Sequence, residues 1–301
     1  MTPPRAGDRF GGFRGRVMDF ITLLAGLLSI IGAVLLSAGL LAPFVRYNEV
    51  DRSVDSVLYE GRYYIVCLAA AGLVAGSIAG LRTSIPELPR EICNPLIIGV
   101  ALAGSWSMVV LSRLNGLWAS RSDAAVGDTI RGASGERLAV LGTVSLVAAG
   151  LLAAVALMLG DSLRVGPRLP RDASSIATLL LSITGCALVL SIRLPDQDVW
   201  HFLRDDYSWL IPWTAALAAL PGLTSFLRPD RIFRALTVGW ALGGLSICLF
   251  LYSQGQALQD SGAPGVTNSA ATVTRLRAAT LIGLIVVNAV ALTKSGRGQE
   301  H

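Results

Sequence analysis

The sequence predicts an all-α protein, a polytopic membrane helix bundle of about eight transmembrane helices joined by short loops. Eight long stretches of the 301-residue chain contain no Asp, Glu, Lys, Arg or His. Charged residues make up 15% of the chain, against about 25% in soluble domains, and the mean hydropathy is +0.60. In lipid every backbone amide needs a partner within its own segment, so these stretches are predicted to be helices.

The charge-free stretches set the positions of the predicted spans. A bilayer core about 30 Å thick requires roughly 20 helical residues. Seven stretches are long enough, and the eighth, Ala278–Thr293, needs a few residues from its flanks. The first stretch exceeds the 7–15 residues of a signal-peptide core, so we expect a retained helix. The predicted spans are about 20–42, 63–81, 92–112, 138–160, 173–192, 207–227, 235–255 and 275–293.

The flanking sequence predicts domain organisation and orientation. Residues 1–19, rich in Gly, Pro and Arg, are expected to be a flexible basic cytoplasmic tail, 20–293 a single transmembrane domain, and 294–301 a second cytoplasmic tail. Alternating the spans from a cytoplasmic N-terminus places 14 of the 25 basic residues on the side of both termini, in the shorter loops. The single lysine, Lys294, is typical of a bacterial source, so a bacterial plasma (inner) membrane is expected.

Arginines scattered at helix ends predict a partner surface. We expect contact with anionic headgroups at the cytoplasmic face. Because the basic residues are not clustered, no nucleic acid is expected as a partner. Other membrane proteins or further copies of this chain are expected partners.

Two connections are predicted from their composition. After Asn48, which could cap a helix, Val50, Val54 and Val57 recur at helical spacing and predict a short amphipathic helix at the outer surface. The connection 113–137 is rich in Gly, Ala and Ser, so it is expected to be mobile.

Small residues in the second span predict close helix packing. Gly72, Gly76 and Gly80 lie four residues apart, which lets helices approach closely in lipid. The row could face another subunit or a neighbouring helix of the same chain. The first and last four spans could also form a coarse repeat.

The charge-free stretches offer few polar groups as a substrate site. Asn288 is predicted to line a substrate path or to form an interhelical hydrogen bond, and Pro221 to break the sixth span. The absence of charge within these stretches argues against a proton-coupled transporter and against a polar channel built from one chain. It leaves an apolar or lipid-like substrate, or none.

The densest group of titratable residues lies in a predicted external loop. If the protein is an enzyme, its candidate catalytic residues are Asp196, Asp198, His201, Asp205 and Asp206. Helix capping and surface ion pairs explain the same residues without catalysis. The spacing matches no known zinc motif, and the four cysteines show no CxxC pair, so no metal and no cofactor are predicted.

Three functions are compatible with this pattern. The first is a non-catalytic permease component or scaffold subunit of an envelope or transport complex. The second is a self-contained carrier or flippase for an apolar or lipid-linked substrate. The third is a membrane enzyme acting on lipid-linked substrates at the external face.

Overall fold

The computed structural model describes residues 6–53, 61–82, 84–85, 89–121, 130–160, 172–190, 210–260 and 269–297. Within these ranges the chain forms eight helices and three short strands. The helices are α1 Ala6–Leu41, α2 Gly61–Leu81, α3 Arg90–Arg121, α4 Ser134–Leu159, α5 Ala173–Leu190, α6 Leu210–Leu227, α7 Arg231–Asp260 and α8 Ser269–Arg297. The strands are β1 Val45–Tyr47, β2 Val50–Arg52 and β3 Ile130–Gly132.

The predicted fold class is confirmed. Among the described residues, seven helices are long and apolar enough to cross a membrane, namely all except α6. Helix α6 has 18 residues, and its role as a span stays a prediction. The protein is therefore an all-α, multi-pass membrane bundle.

The first helix begins earlier than the sequence predicted. Residues 6–19, expected to belong to a flexible tail, continue α1. Asp19 explains part of this order, because its carboxylate pairs with Arg82 at 2.7 Å and with Arg90 at 2.8 Å. Arg90 also donates to the carbonyl of Gly15 at 3.0 Å. These contacts fasten the start of α1 to the end of α2 and the start of α3.

A small sheet replaces the predicted surface helix after α1. Strand β1 pairs antiparallel with β2 and with β3, giving the order β2-β1-β3. Asn48 and Glu49 form the two-residue turn with φ of 45° and 64°, the left-handed geometry that suits a tight hairpin. Val50 therefore lies in a strand, and residues 54–60 lie outside the described residues.

Parts of 113–137, the connection expected to be mobile, form regular structure, while 122–129 lie outside the described residues. Helix α3 continues to Arg121, β3 covers residues 130–132, and α4 begins at Ser134. We call this end of the bundle the sheet end, and the opposite end, where α1 begins and α8 ends, the base end.

We describe the eight helices as two sets of four consecutive helices, or halves, which are joined because α7 packs on both α2 and α3. In the first half α1 contacts α2 and α4, and α3 contacts α4; in the second half α5 contacts α6 and α8, and α7 contacts α8. Helices α3 and α7 join the halves at the centre, where a Cβ at Gly99 would meet the backbone of Leu236 and Trp240. About 72% of the α3 span and 67% of the α7 span are buried, against 28% for α5 and α8.

Candidate functional site: a buried polar seam in the second half

Helix α5 presents a row of small and polar side chains to the interior of the second half. Its buried residues are Ser175, Thr178, Ser182, Gly185 and Val189. Their spacing of three, four, three and four residues places them on one helical face. We call this row and the residues of α6, α7 and α8 that contact it the α5 seam.

At the base end the seam begins with a buried arginine. Arg234 is 4% exposed and donates to Ser174 at 2.6 Å, Asp172 at 3.1 Å and Ser175 at 3.3 Å. Asp172 caps α5 by accepting from the backbone N–H of Ser175 at 2.9 Å. The arginine thus holds the start of α5 against α7.

The pKa of Asp172 is lowered from its ordinary value. Burial alone would raise the pKa, but hydrogen bonds from Ser174 and Ser175 and the charge of Arg234 outweigh burial because they stabilise the carboxylate. Asp172 is therefore ionised near neutral pH, and its charge offsets that of Arg234.

One turn further along the seam, Asn288 joins α8 to α5. Its Nδ2 donates to Thr178 Oγ1 at 3.1 Å and to the carbonyl of Leu284 at 2.9 Å. Asn288 is fully buried, and within the described part of the chain its Oδ1 has no hydrogen-bond partner. The side chain lies six residues from Lys294, about 9 Å along the helix, so it is nearer the base end than the midplane.

Pro221 lies beside the seam rather than apart from it. Helix α6 runs through Pro221, whose carbonyl accepts from Thr237 of α7 at 3.1 Å. At the next residue, a Cβ on Gly222 would collide with the side chain of Ser182. The absence of a side chain there lets α6 lie directly on α5. Of the two residues predicted for a substrate path, Asn288 contacts the seam at Thr178, whereas Pro221 lies next to Gly222, which contacts Ser182.

Towards the sheet end the seam meets a second buried arginine. Arg277 of α8 is 5% exposed, and a Cβ on Gly185 would collide with its Nη1. The guanidinium lies beside the thiols of Cys248 and Cys186. Within the described residues Nη1 has no hydrogen-bond partner.

Arg277 corrects the expectation that no charge lies within the spans. The charge-free criterion began the last stretch at Ala278, whereas the apolar helical span runs from Thr272 to Lys294. A usable signal was present in the sequence, because Arg277 and Asn288 are eleven residues, or about three turns, apart on one helical face. Leu281 and Leu284 lie between them on that face and are each 1% exposed.

A narrow cleft opens beside Arg277. Its enclosed volume is about 10 Å³, room for about one water molecule, and the surrounding space of about 350 Å³ includes the open mouth. Three helices form its walls. The residues that line it are Val189, Trp240, Gly244, Ile247, Cys248, Leu251, Val273, Thr274 and Arg277. The cleft is apolar except for a few polar groups, as ligand pockets generally are.

The predicted packing glycines lie in the first half of the bundle. A Cβ on Gly76 would approach the carbonyl oxygen of Gly26 to 2.6 Å, and one on Gly72 would approach Leu146 to 2.7 Å. Gly80 has open space where a Cβ would be. The structure thus places Gly72 and Gly76 against neighbouring helices of the same chain.

The candidate catalytic residues cannot be placed in this arrangement. Asp196, Asp198, His201, Asp205 and Asp206 lie outside the described residues, so the external-face enzyme stays a prediction. Across the part of the chain that the structure describes, no three His, Cys, Asp or Glu side chains group as metal ligands. All four cysteines are free thiols.

No family model, curated protein or solved structure matches this chain. Its assignment as a multi-pass membrane protein follows from the length and apolar character of its helices. Any finer function has to be argued from the seam and the cleft.

Proposed function

We propose that this protein is a self-contained carrier for an apolar or lipid-linked substrate, which moves along the α5 seam in a bacterial plasma membrane. One observation carries the proposal: a buried polar row connects two buried arginines, Arg234 near the base end and Arg277 near the sheet end. Ionisable groups inside a membrane span are expensive to bury and usually mark substrate or ion pathways.

The chemistry of the seam favours an amphipathic substrate. Ser182 and Asn288 each hold a buried oxygen without a described hydrogen-bond partner, and such groups can bind a polar headgroup as it passes. The face between Arg277 and Asn288 is closed by Leu281 and Leu284, which suit a hydrocarbon chain better than a free ion. The proposed substrate is therefore neither a proton nor a hydrated ion.

The arrangement of helices favours movement at the seam. Helices α5 and α8 are the least buried of the spans, whereas α3 and α7 form the centre. The second half is held at the seam by hydrogen bonds such as Asn288–Thr178, which are of modest strength in membranes. Under the proposal, α5 and α8 part to let a headgroup pass while the α3–α7 contact stays closed.

Reconstitution in liposomes tests the proposal. A fluorescent phospholipid in the inner leaflet becomes accessible to an impermeant quencher when it is moved across the bilayer. We expect wild-type protein to speed this movement, and Asn288→Leu and Ser182→Val to slow it about tenfold or more while the folded fraction is retained.

The matched control for these variants lies in the other half. Thr143 is fully buried and donates to the carbonyl of Val140 in its own helix at 2.7 Å, so Thr143→Val should leave the rate within about twofold. An unchanged rate in Asn288→Leu and Ser182→Val would remove the seam from the transport path. Equal loss in all three variants would indicate a general folding defect.

A non-catalytic permease component or scaffold subunit is the second candidate. The first half favours it, because Gly26, Gly32, Gly76 and Gly142 bring helix backbones together with little room for a passage. Under this alternative, the purified chain alone moves no lipid, and mild detergent extraction at native expression recovers it with a defined partner. Recovery of an active monomer would count against it.

A further inference from the structure

The cleft beside Arg277 contains two buried hydrogen-bond donors that nothing in the described chain satisfies. Arg277 is 5% exposed and Trp240 is 1% exposed, and both line the cleft. Arg277 Nη1 and Trp240 Nε1 have no described partner. Trp240 Cε2, which is bonded to Nε1, lies 3.9 Å from the Cβ position of Gly244, another residue of the cleft wall.

Both unsatisfied groups can only donate. Guanidinium and indole N–H groups have no acceptor capacity, so their missing partner must supply lone pairs. None of the described residues that line the cleft carries a carboxylate. A buried cation without a counter-ion is strongly unfavourable, and an anion in the cleft would remove that penalty.

The apolar residues of the cleft wall indicate which kind of molecule carries the anion. Val189, Ile247, Leu251 and Val273 surround the donors with hydrocarbon on three helices. A small hydrated anion would lose its water to these walls without compensation, whereas the acyl chain of a lipid would bury apolar surface against the residues at the mouth. The lining therefore suits an oxyanion attached to a hydrocarbon tail.

The fold makes room for the guanidinium at a single glycine. A Cβ at Gly185 would collide with Arg277 Nη1, so the guanidinium occupies the space that any other residue at this position would fill. Gly185 therefore positions the cation without contacting the cleft contents.

We propose that this cleft, widened when α5 and α8 part, binds the phosphate or carboxylate of an anionic lipid through Arg277 and Trp240. This inference rests on the proposed carrier function, because the biological role of the site depends on it. Lipid binding at the site can nevertheless be measured without transport. Planar oxyanions and phosphates are the groups that an arginine fork pairs with in bidentate geometry.

The test measures lipid retained by purified full-length protein. Protein in phosphatidylcholine nanodiscs is titrated with phosphatidate, and the bound lipid is counted by native mass spectrometry. We expect one tightly retained phosphatidate, and a loss of about tenfold or more in its affinity for Arg277→Met and Gly185→Ala. Trp240→Phe should weaken binding about threefold, because it removes one donor and keeps an aromatic ring.

Arg275→Met is the matched control. Arg275 lies two residues away on the same helix, is exposed, and donates to the hydroxyl of Tyr252 at 2.9 Å. Its loss removes the same charge from the same end of the bundle, so affinity should stay within about twofold of wild type. Equal losses in Arg275→Met and Arg277→Met would indicate general surface attraction and would overturn the proposal.

Two further measurements identify the source of the anion and test whether the variants still fold. Glycerol phosphate and inorganic phosphate should not compete with phosphatidate; full competition by either would refute the lipid assignment. Ligand-free Arg277→Met should melt no lower than wild type, since it removes an unpaired buried charge. Binding without transport would overturn the carrier proposal alone, and transport with unchanged lipid binding in Arg277→Met would overturn this site alone.

Discussion

The two halves of the bundle solve the same packing problem with different chemistry. In α1–α4 the helices approach through glycines, as where Gly142 meets the carbonyl of Gly32. Thr22 and Thr143 there donate to carbonyls of their own helix, and Ser29 donates to the backbone carbonyl of Gly72 in α2 at 2.8 Å. In α5–α8 buried side chains bond between helices, as Arg234 and Asn288 do.

This difference indicates which half of the bundle can change conformation. Helices whose backbones are in close contact have one favourable arrangement, because moving them apart would open an unfilled cavity between them. Side-chain hydrogen bonds can be exchanged for bonds to a substrate headgroup at little net loss. The first half therefore suits a rigid support, and the second half suits binding and movement.

The largest expected effect is overpacking in the first half. Gly76→Ala places a Cβ 2.6 Å from the carbonyl oxygen of Gly26 and should lower the free energy of unfolding by about 1–3 kcal/mol. The measurement is reversible unfolding in detergent. Gly80→Ala, four residues on along the same helix, meets no atom within 4 Å and should be close to neutral. Equal effects would mean that the half is not held by glycine contacts.

Replacing the two buried arginines should give opposite results. Arg234→Met removes hydrogen bonds to Asp172, Ser174 and Ser175 and should destabilise the protein by about 1–2 kcal/mol. Arg277→Met should leave the free energy of unfolding unchanged or raise it, because it removes a buried cation without a counter-ion among the described residues. Thermal melts of both variants in one detergent make the comparison. Similar losses would place both arginines in structural roles.

A smaller effect is expected at the link between α5 and α8. A double-mutant cycle with Asn288→Leu and Thr178→Val should give a coupling energy of about 0.6 kcal/mol, the average for interhelical hydrogen bonds in membranes. Urea or steric-trap unfolding of the four proteins supplies the values. A coupling above about 2 kcal/mol would show that the seam is too firmly closed to open readily.

The smallest expected effect is on how the stability of the protein changes at acidic pH. Asp172 has a lowered pKa in the folded protein, so its stabilisation is present above its unfolded pKa of about 3.9 and is lost as pH falls below that value. Its side chain is about half exposed, so solvent screening keeps the change small. Between pH 6 and pH 3, the free energy of unfolding of Asp172→Asn should therefore change slightly less with pH than that of the wild type. An identical slope would exclude Asp172 as a source of acid sensitivity.

Part of the candidate site could be predicted from the sequence. Asn288 stood out because it is a strong polar group inside an otherwise apolar stretch, and Pro221 because proline is unfavourable inside a helix, although α6 runs through it. Arg234 was assigned to a loop because charge-free stretches end at charges by definition. Arg277 lay inside the predicted span 275–293 but before its charge-free stretch, which begins at Ala278, so it was not treated as a buried group. Trp240 gave no signal, because an indole in an apolar helix is ordinary.

The hairpin after α1 and the early start of α1 were also missed because they involve contacts with distant residues. Strand β1 of the hairpin at Asn48 also pairs with Ile130–Gly132, about 80 residues later, and no pattern within residues 43–62 contains that partner. The contacts that Arg82 and Arg90 make with Asp19 of α1 likewise join residues more than 60 positions apart in the chain. Local propensity predicted a surface helix in one place and a flexible tail in the other.

The amino-acid sequence alone determined the class, the number of helices and the approximate positions of the spans, because an apolar segment in lipid has no alternative to a helix. Tertiary structure decided which helices are central and which residues share a seam. It also placed Arg277 and Trp240 in one cleft, where Arg277 Nη1 and Trp240 Nε1 have no described hydrogen-bond partner. Those properties depend on the rotation of each helix about its axis, which is set by contacts between residues far apart in the chain.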